Sequence, residues 1–382
     1  MPRNAVRAAL LGIGAWGRVL ATAAARSTTL RITHCLSRDA GRREAFAREF
    51  GLAASDDYDA ILRDPDIDAV VIALPNELHH PFARRAAEAR KHVYLEKPIA
   101  STLADGLRIA ELERTYGIRI CVGHCARLLA GNRIMGAAVA AGEIGQLNRI
   151  DAVFANGRGL RLTPGDWRWY QASSPGGPLS QIAVHQFDVL RYLGGDVASV
   201  SATAARRSPV GAEVEDEWLV TLRFENGALG SVATSWTSPG AYRVQVSGDR
   251  ALMAYEIDQS LWNVADDLHV GATLFRHALG QPPRERVRVD VPRGNMFREE
   301  LEIFAQAITG GSECELSADN GCQALAIVDA ALESAAAGGR HVAPAEVLAR
   351  ARRAAGIADP KTGDPAAGAG GIGVMDHRAS RI

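Results

Sequence analysis

The chain has 382 residues, is 47% hydrophobic and 23% charged, and carries a formal net charge of -1. This is the composition of a globular protein with apolar content for two cores, and the balanced charge gives no footing for a nucleic-acid or membrane partner. No apolar run reaches the roughly 18 residues of a membrane span.

Residues 1–6 lead straight into a strand-like run, which leaves no room for a signal peptide, so a cytoplasmic location is expected. The five cysteines, Cys35, Cys121, Cys125, Cys314 and Cys322, are odd in number and lack CxxC spacing. Free thiols in a reducing compartment are expected. Cys121, His124 and Cys125 have no fourth ligand at zinc-like spacing, and no metal is expected.

Residues 5–11 read as a buried strand. Gly12-Ile13-Gly14-Ala15-Trp16-Gly17 follows at once, with a helix read over 19–25. This is GxGxxG in strand–turn–helix context. Gly12 permits the tight turn, Gly14 lets the backbone approach a pyrophosphate, and Gly17 lets helix and strand pack closely. A second strand is read at 30–36. The residues after it, where an acid often holds a ribose 2′-hydroxyl, are Ser37-Arg38-Asp39. A hydroxyl and a guanidinium suit a 2′-phosphate, which favours NADP, with NAD the second choice. The plainer reading makes Ser37 and Arg38 the start of the next helix and Asp39 its cap.

A helix is expected over 41–50 and a buried strand over 66–74, ended by Pro75. Asn76 and His79 then emerge near where a nicotinamide would lie, unless Asn76 simply caps a helix at 81–90. Residues 93–95 form a strand running into Glu96-Lys97-Pro98. In open α/β sheets, ligands sit outside the carboxyl ends of strands. A lysine there, beside an acid and stiffened by proline, can hand a proton to an oxygen. A helix at 102–116 and a strand at 118–123 complete a β-α-β pattern that argues for a doubly wound parallel sheet.

Together these motifs resemble the Gfo/Idh/MocA oxidoreductases. The resemblance rests on the glycine motif, Ala73-Leu74-Pro75-Asn76-x-x-His79, Glu96-Lys97-Pro98, Val122 to Arg127, Asp166-Trp167-Arg168, and Gly176-Gly177-Pro178-Leu179 leading to His185. It covers residues 5 to about 345. It implies a Rossmann domain (1–123) and an α+β domain with a large, mostly antiparallel sheet (124–350). That sheet is expected to form a homo-oligomer, dimer or tetramer. Leu74, Pro75, Asn76, His79, Glu96 and Lys97 are expected along the cofactor. Lys97 is the expected proton-transfer residue and His185 the contact to the reacting hydroxyl. Gln181 stands where the family usually has an acid. Glutamine can hydrogen-bond a hydroxyl but cannot exchange a proton at neutral pH, so proton chemistry falls on Lys97 and His185.

In the second half a helix is read at 132–141 and a strand at 147–154. Residues 156–178 form a long loop whose Trp167, Trp169 and Tyr170 either wall a substrate or plug a core. His185 heads an apolar helix with Gln181 and Asp188 one turn to either side, and Asp188 is expected to hold one ring nitrogen. Arg127 and Arg168 are candidates for an anionic or hydroxyl-rich substrate. Strands follow at 197–206, 216–224, 228–236, 242–248 and 251–257, with turns at 225–227 and 248–249, as adjacent hairpins. Helices are read at 297–309 and 317–336, and a mobile tail at 359–382.

The expected activity is hydride transfer between NADP(H) and a carbinol or ketone carbon of a sugar, cyclic polyol or related ring. The rivals are a dihydrodiol dehydrogenase, a glycosidase with retained NAD(P), and a non-catalytic NADPH sensor.

Overall fold

The structure, a computed structural model, describes residues 5–358; the expected leaderless start and tail lie outside them. The described chain divides into two compact units. The first holds residues 5–124, 297–322 and 349–358, the second 125–296 and 323–348.

The first unit begins with β1 (Val6–Leu11), α1 (Ala15–Ala24), β2 (Leu30–Leu36), α2 (Ala40–Phe50), β3 (Ala53–Ser55), α3 (Tyr58–Arg63), β4 (Ala69–Ile72), α4 (His79–Glu88), β5 (His92–Leu95), α5 (Leu103–Tyr116) and β6 (Ile120–Val122). Its sheet is parallel throughout, in the order β3-β2-β1-β4-β5-β6. The central strands β1, β4 and β5 are largely apolar and buried, as strands covered on both faces are. Leu10, Leu11, Val70, Val71, Tyr94 and Leu95 have no solvent exposure. The order reverses between β1 and β4, so the loops after these strands form the crevice where α/β sheets bind ligands. β3 and α3 were not read from sequence: β3 is three residues long and partly exposed, with no apolar period to mark it.

The second unit begins with α6 (Ala130–Ala140), β7 (Leu147–Ala155) and α7 (Val184–Gly194). It continues with β8 (Val197–Ala205), β9 (Glu217–Phe224), β10 (Leu229–Ser235), β11 (Ala241–Gly248), β12 (Ala251–Ile257), β13 (Thr273–Ala278) and β14 (Val287–Val289). These strands form one sheet in the order β14-β13-β12-β11-β7-β10-β9-β8. The β9–β10 and β11–β12 hairpins match the expected turns. The two hairpins do not adjoin, however. β7 lies between them, parallel to β10 and antiparallel to β11. Strict alternation in β9 buries Trp218, Val220, Leu222 and Phe224 and leaves Leu219 66% exposed on the other face.

After β14 come α8 (Met296–Gly310), α9 (Ala318–Ala336) and α10 (Pro344–Ala355). Residues 297–322 rejoin the first unit, which corrects the single boundary expected near residue 123. The cause is packing. Phe304 lies 6.2 Å from the Tyr94 ring and Phe297 meets Trp16 edge-on at 5.8 Å. The Val122 amide donates to the Leu316 carbonyl at 2.8 Å.

Buried Asp216 braces the second unit's long loop indirectly. Its carboxylate accepts from the amides of Arg207 (2.7 Å) and Ser208 (2.8 Å), and the Ser208 hydroxyl donates to the Gly159 carbonyl at 2.8 Å. Asp216→Ala strands two amides and is expected to cost about 2 kcal/mol. Chemical denaturation checks this; a loss within about 0.5 kcal/mol refutes the brace.

Candidate functional site

The glycine turn is built tightly. Gly12 has φ +96°, and a Cβ there would lie 2.5 Å from the Ala73 carbonyl oxygen. A Cβ on Gly17 would overlap the Gly12 carbonyl. Gly14 differs, because nothing lies within 4 Å of its would-be Cβ. It is the N-cap of α1, which begins four residues earlier than the sequence reading had it. Open space thus faces a helix N-terminus and its unsatisfied amides, which is what a pyrophosphate needs. Ile13 and Ala15 flank Gly14, and Trp16 is half-buried beside Phe297.

At the end of β2, the amide of Ser37 donates to the Ser55 carbonyl at 3.3 Å. Asp39 caps α2, accepting from the Arg42 amide at 2.9 Å, so the plainer reading of that residue holds. Arg38 and Arg42 are exposed on either side of it. Arg43, not singled out from sequence, braces the turn by donating to the Ser37 carbonyl at 2.6 Å.

Past β4, Leu74 is half-buried and Pro75 exposed. Asn76 opens a short 3₁₀ turn (Asn76–Leu78) and does not cap the next helix, whose N-cap is Leu78. His79 requires a correction. Its side chain is fully buried, and Nδ1 and Nε2 face the carbonyls of Ile99 (3.2 Å) and Leu74 (3.0 Å). It ties the Leu74 loop to the segment after Pro98 and does not present its ring to a nicotinamide. Burial holds its pKa below the usual histidine value, against those carbonyls.

Lys97 leaves the carboxyl end of β5 half-buried, with Nζ 5.7 Å from the Trp16 ring centroid; the Lys97–Pro98 peptide is cis. Glu96 is buried, and burial pushes its carboxyl up to about 7 against the pull of the Lys97 charge. A second acid, Glu300 on α8, has no solvent exposure. Burial and then Glu96 raise it well above the carboxylate range, opposed by the Tyr94 hydroxyl and Lys97. The Tyr94 hydroxyl is near both acids, yet neither it nor the Glu300 carboxyl makes a hydrogen bond of normal geometry. Two buried acids beside one lysine cannot both ionise cheaply, so the pair retains a proton near neutral pH. Glu300 was missed from sequence, though a signal existed: it lies three residues after Phe297 and four before Phe304, on the apolar stripe of its helix.

In the second unit, a π-helical turn (Leu179–Ala183) precedes α7 and breaks the regular spacing expected between Gln181 and His185. Both are buried. The His185 ring lies 5.5 Å from Trp262 and 6.3 Å from Phe154. Trp262 belongs to an irregular stretch and gave no sequence signal. Arg127 and Asp188 also depart from expectation. Arg127 is buried, donates through Nε (2.9 Å) and Nη2 to the two carboxylate oxygens of Asp188, and lies 5.4 Å over the Tyr192 ring. Its fork is committed inside the unit, which removes it from the substrate contacts. The acid meant to orient His185 is engaged by that fork. Trp169 packs on the Leu162, Val214 and Trp236 core, while Arg168 stacks 4.1 Å over Trp167.

Among the described residues, no group of three or more His, Cys, Asp or Glu is placed to hold a metal ion. The five cysteines are buried and none is in a disulfide. No helix of the described residues is long and apolar enough to cross a membrane.

Residues 6–124 match the model of an oxidoreductase family with an NAD-binding Rossmann fold, and residues 133–254 match the GFO/IDH/MocA C-terminal domain. The chain is 28% identical over 334 residues to 1,5-anhydro-D-fructose reductase of Ensifer adhaerens, covering 86% of this chain and 96% of the relative. It is 28% identical over 337 residues to inositol 2-dehydrogenase of Rhizobium meliloti strain 1021, covering 87% and 97%. A solved structure from Desulfitobacterium hafniense DCB-2, provisionally named an NADPH-dependent oxidoreductase, superposes with a TM-score of 0.87 at 34% identity, covering 91% of this chain and 99% of that one.

A methyl at Gly14 meets no protein atom. Gly14→Ala is therefore expected to keep fold stability within about 1 kcal/mol, while dinucleotide binding weakens at least about tenfold because the methyl enters the phosphate space. Fluorescence titration beside a thermal melt checks both. Unchanged binding refutes the cradle.

The acid pair gives a signed pH dependence. A carboxyl raised on folding releases its proton in the unfolded chain first, so stability falls as pH rises above about 4.5 and through Glu96 at about 7. Glu300→Gln removes one such proton. Its stability relative to wild type is expected to grow between pH 5 and 8 by up to about 1.4 kcal/mol per pH unit. Parallel urea titrations that stay evenly spaced across this range would exclude the shared proton.

Proposed function

Because the chain belongs to the Gfo/Idh/MocA family of oxidoreductases, we propose that it works with NADP(H) on a carbinol or ketone carbon of a sugar, cyclic polyol or related ring. It is a dehydrogenase or reductase of alcohol and ketone groups with a nicotinamide cofactor. The names of its relatives, a reductase of anhydrofructose and a dehydrogenase of inositol, support the choice of sugars and polyols. Ser37 and exposed Arg38 support NADP, since they replace the acid that would repel a 2′-phosphate.

The observation that carries the reading is Lys97, half-buried past the carboxyl end of a buried strand and backed by the Glu96–Glu300 pair. Bound along the glycine turn, the dinucleotide supplies the hydride acceptor or donor. In oxidation, the substrate O–H proton passes to the Lys97 amine as the carbon gives up hydride. In reduction, the Lys97 ammonium returns a proton to the carbonyl oxygen, and its charge stabilises the alkoxide that develops. His185 is assigned a hydrogen bond to a substrate hydroxyl, and Gln181 a second one without proton exchange.

Lys97→Ala is expected to bind NADPH as wild type does and to lose turnover at least about 100-fold on any sugar or polyol substrate. Fluorescence quenching and steady-state rates read the two quantities separately, and surviving turnover sinks the proton assignment. The same titration run with NADH decides the cofactor: tighter NADH binding overturns the Ser37–Arg38 argument.

A further inference from the structure

Arg158, Arg161 and Arg168 gather in the loop between β7 and α7, and none of the three forms an ion pair among the described residues. The one acid near them, Asp166, turns Oδ2 to the amide and hydroxyl of Thr163, both at 2.9 Å. Like charge acts on Arg158 from Arg161 and on Arg168 from Arg158. Burial and then the Arg158 charge bring half-buried Arg168 down to about 10, against the pull of Asp166. Arg158 and Arg161 are exposed side chains, and partial desolvation of the Arg158 head group and then the Arg161 charge lower Arg158, again against Asp166. One carboxylate among three guanidinium groups leaves the cluster with an excess of positive charge.

Arg158 and Arg161 line an open pocket of about 370 Å³ together with Asn156, Leu162, Asp166 and Gln259. That volume falls within the range of small-molecule sites. Two wall residues of the pocket are close in the chain to the rings beside His185. Its wall residue Asn156 follows Phe154 on the exit of β7, and Gln259 precedes Trp262 by three residues. Phe154 and Trp262 are the two rings that flank the histidine.

We propose that this pocket receives the oxyanion of an acidic substrate, a carboxylate or phosphate group carried on the sugar or polyol ring. The inference rests on the sugar or polyol reading given above and narrows it. Arginine presents a rigid fork of N–H donors that matches a carboxylate or phosphate two bonds at a time. Two such forks, with the charge of Arg168 held over the Trp167 ring within reach of the Arg158 charge, supply the attraction. The amides of Asn156 and Gln259 can donate to whichever oxyanion edge or ring hydroxyl the forks leave open. A neutral ring would leave the charges as crowded as before.

The test compares one ring in three forms: glucose, glucuronate and glucose 6-phosphate. Each is assayed with NADP+ in wild type and in Arg158→Gln/Arg161→Gln. Calorimetric titration with glucuronate and with inorganic phosphate gives a readout that needs no turnover. The expected result is an acidic form favoured at least about tenfold in kcat/KM, the difference lying mainly in KM. The double variant should shrink that preference at least about tenfold while its melting temperature holds. Glucuronate against the phosphate ester tells which oxyanion is meant. A preference for the neutral ring, or a variant that lowers acidic and neutral rates by the same factor, overturns the proposal and leaves the oxidoreductase reading intact. Anion binding lost in the variant, with no form turned over, supports the pocket and counts against that reading.

Discussion

Two carboxyl groups shut away from water beside one half-buried lysine cannot both carry charge cheaply, and much of the first unit is arranged around that constraint. Glu96 follows directly on a strand with no exposed residue from Val93 to Leu95. Its amide stays on the ladder, donating to the Ile72 carbonyl at 3.0 Å. Tyr94 brings a buried hydroxyl to the acids, and Gly123 leaves room for it: a Cβ there would lie 2.5 Å from that oxygen. Glu300 arrives from some 200 residues later, on a helix whose phenylalanines pack on Trp16 and Tyr94. The chain returns to the first unit at residue 297 and brings both the packing and the acid with it.

How far the sequence could be read follows from how local each signal is. Strands buried on both faces announce themselves as apolar runs, and so β1, β4 and β5 were visible. The glycine turn was visible too, because each glycine answers a separate steric demand within six residues. Sheet order in the second unit was not. The β9–β10 and β11–β12 hairpins carry their own turns, but nothing in either says that β7, more than 70 residues upstream of β10, will lie between them. Short edge pieces such as β3 and β14 bury too little to leave a pattern.

Site residues divide the same way. Residue type and spacing marked His79, Arg127, Gln181, His185 and Asp188 as unusual, and all five are buried. What each touches was beyond the sequence. His79 is taken up by two main-chain carbonyls, and Arg127 by Asp188, 61 residues away. These partners are set by tertiary approach, so an arginine aimed at a ligand and one that clamps a helix look alike in one dimension. The long loop shows this within three residues. Trp169 joins a core, and Trp167 becomes the platform for Arg168.

The two charge clusters differ in the remedies open to them. A pair of buried acids can relieve its own repulsion by keeping a proton, because carboxyl pKa values move readily through the neutral range. The cost is then a dependence on pH, and proton traffic beside Lys97 becomes part of the chemistry. Guanidinium has no such exit. Even brought down to about 10, Arg168 stays charged at neutral pH. One carboxylate, Asp166, stands among the three arginines, and the positive charge left over is what an anion in the pocket lined by Arg158 and Arg161 would offset. A net charge of -1 over the whole sequence hides both situations. Placing the charges in three dimensions separates a cluster that manages itself with a proton from one whose positive excess the proposed anion would offset.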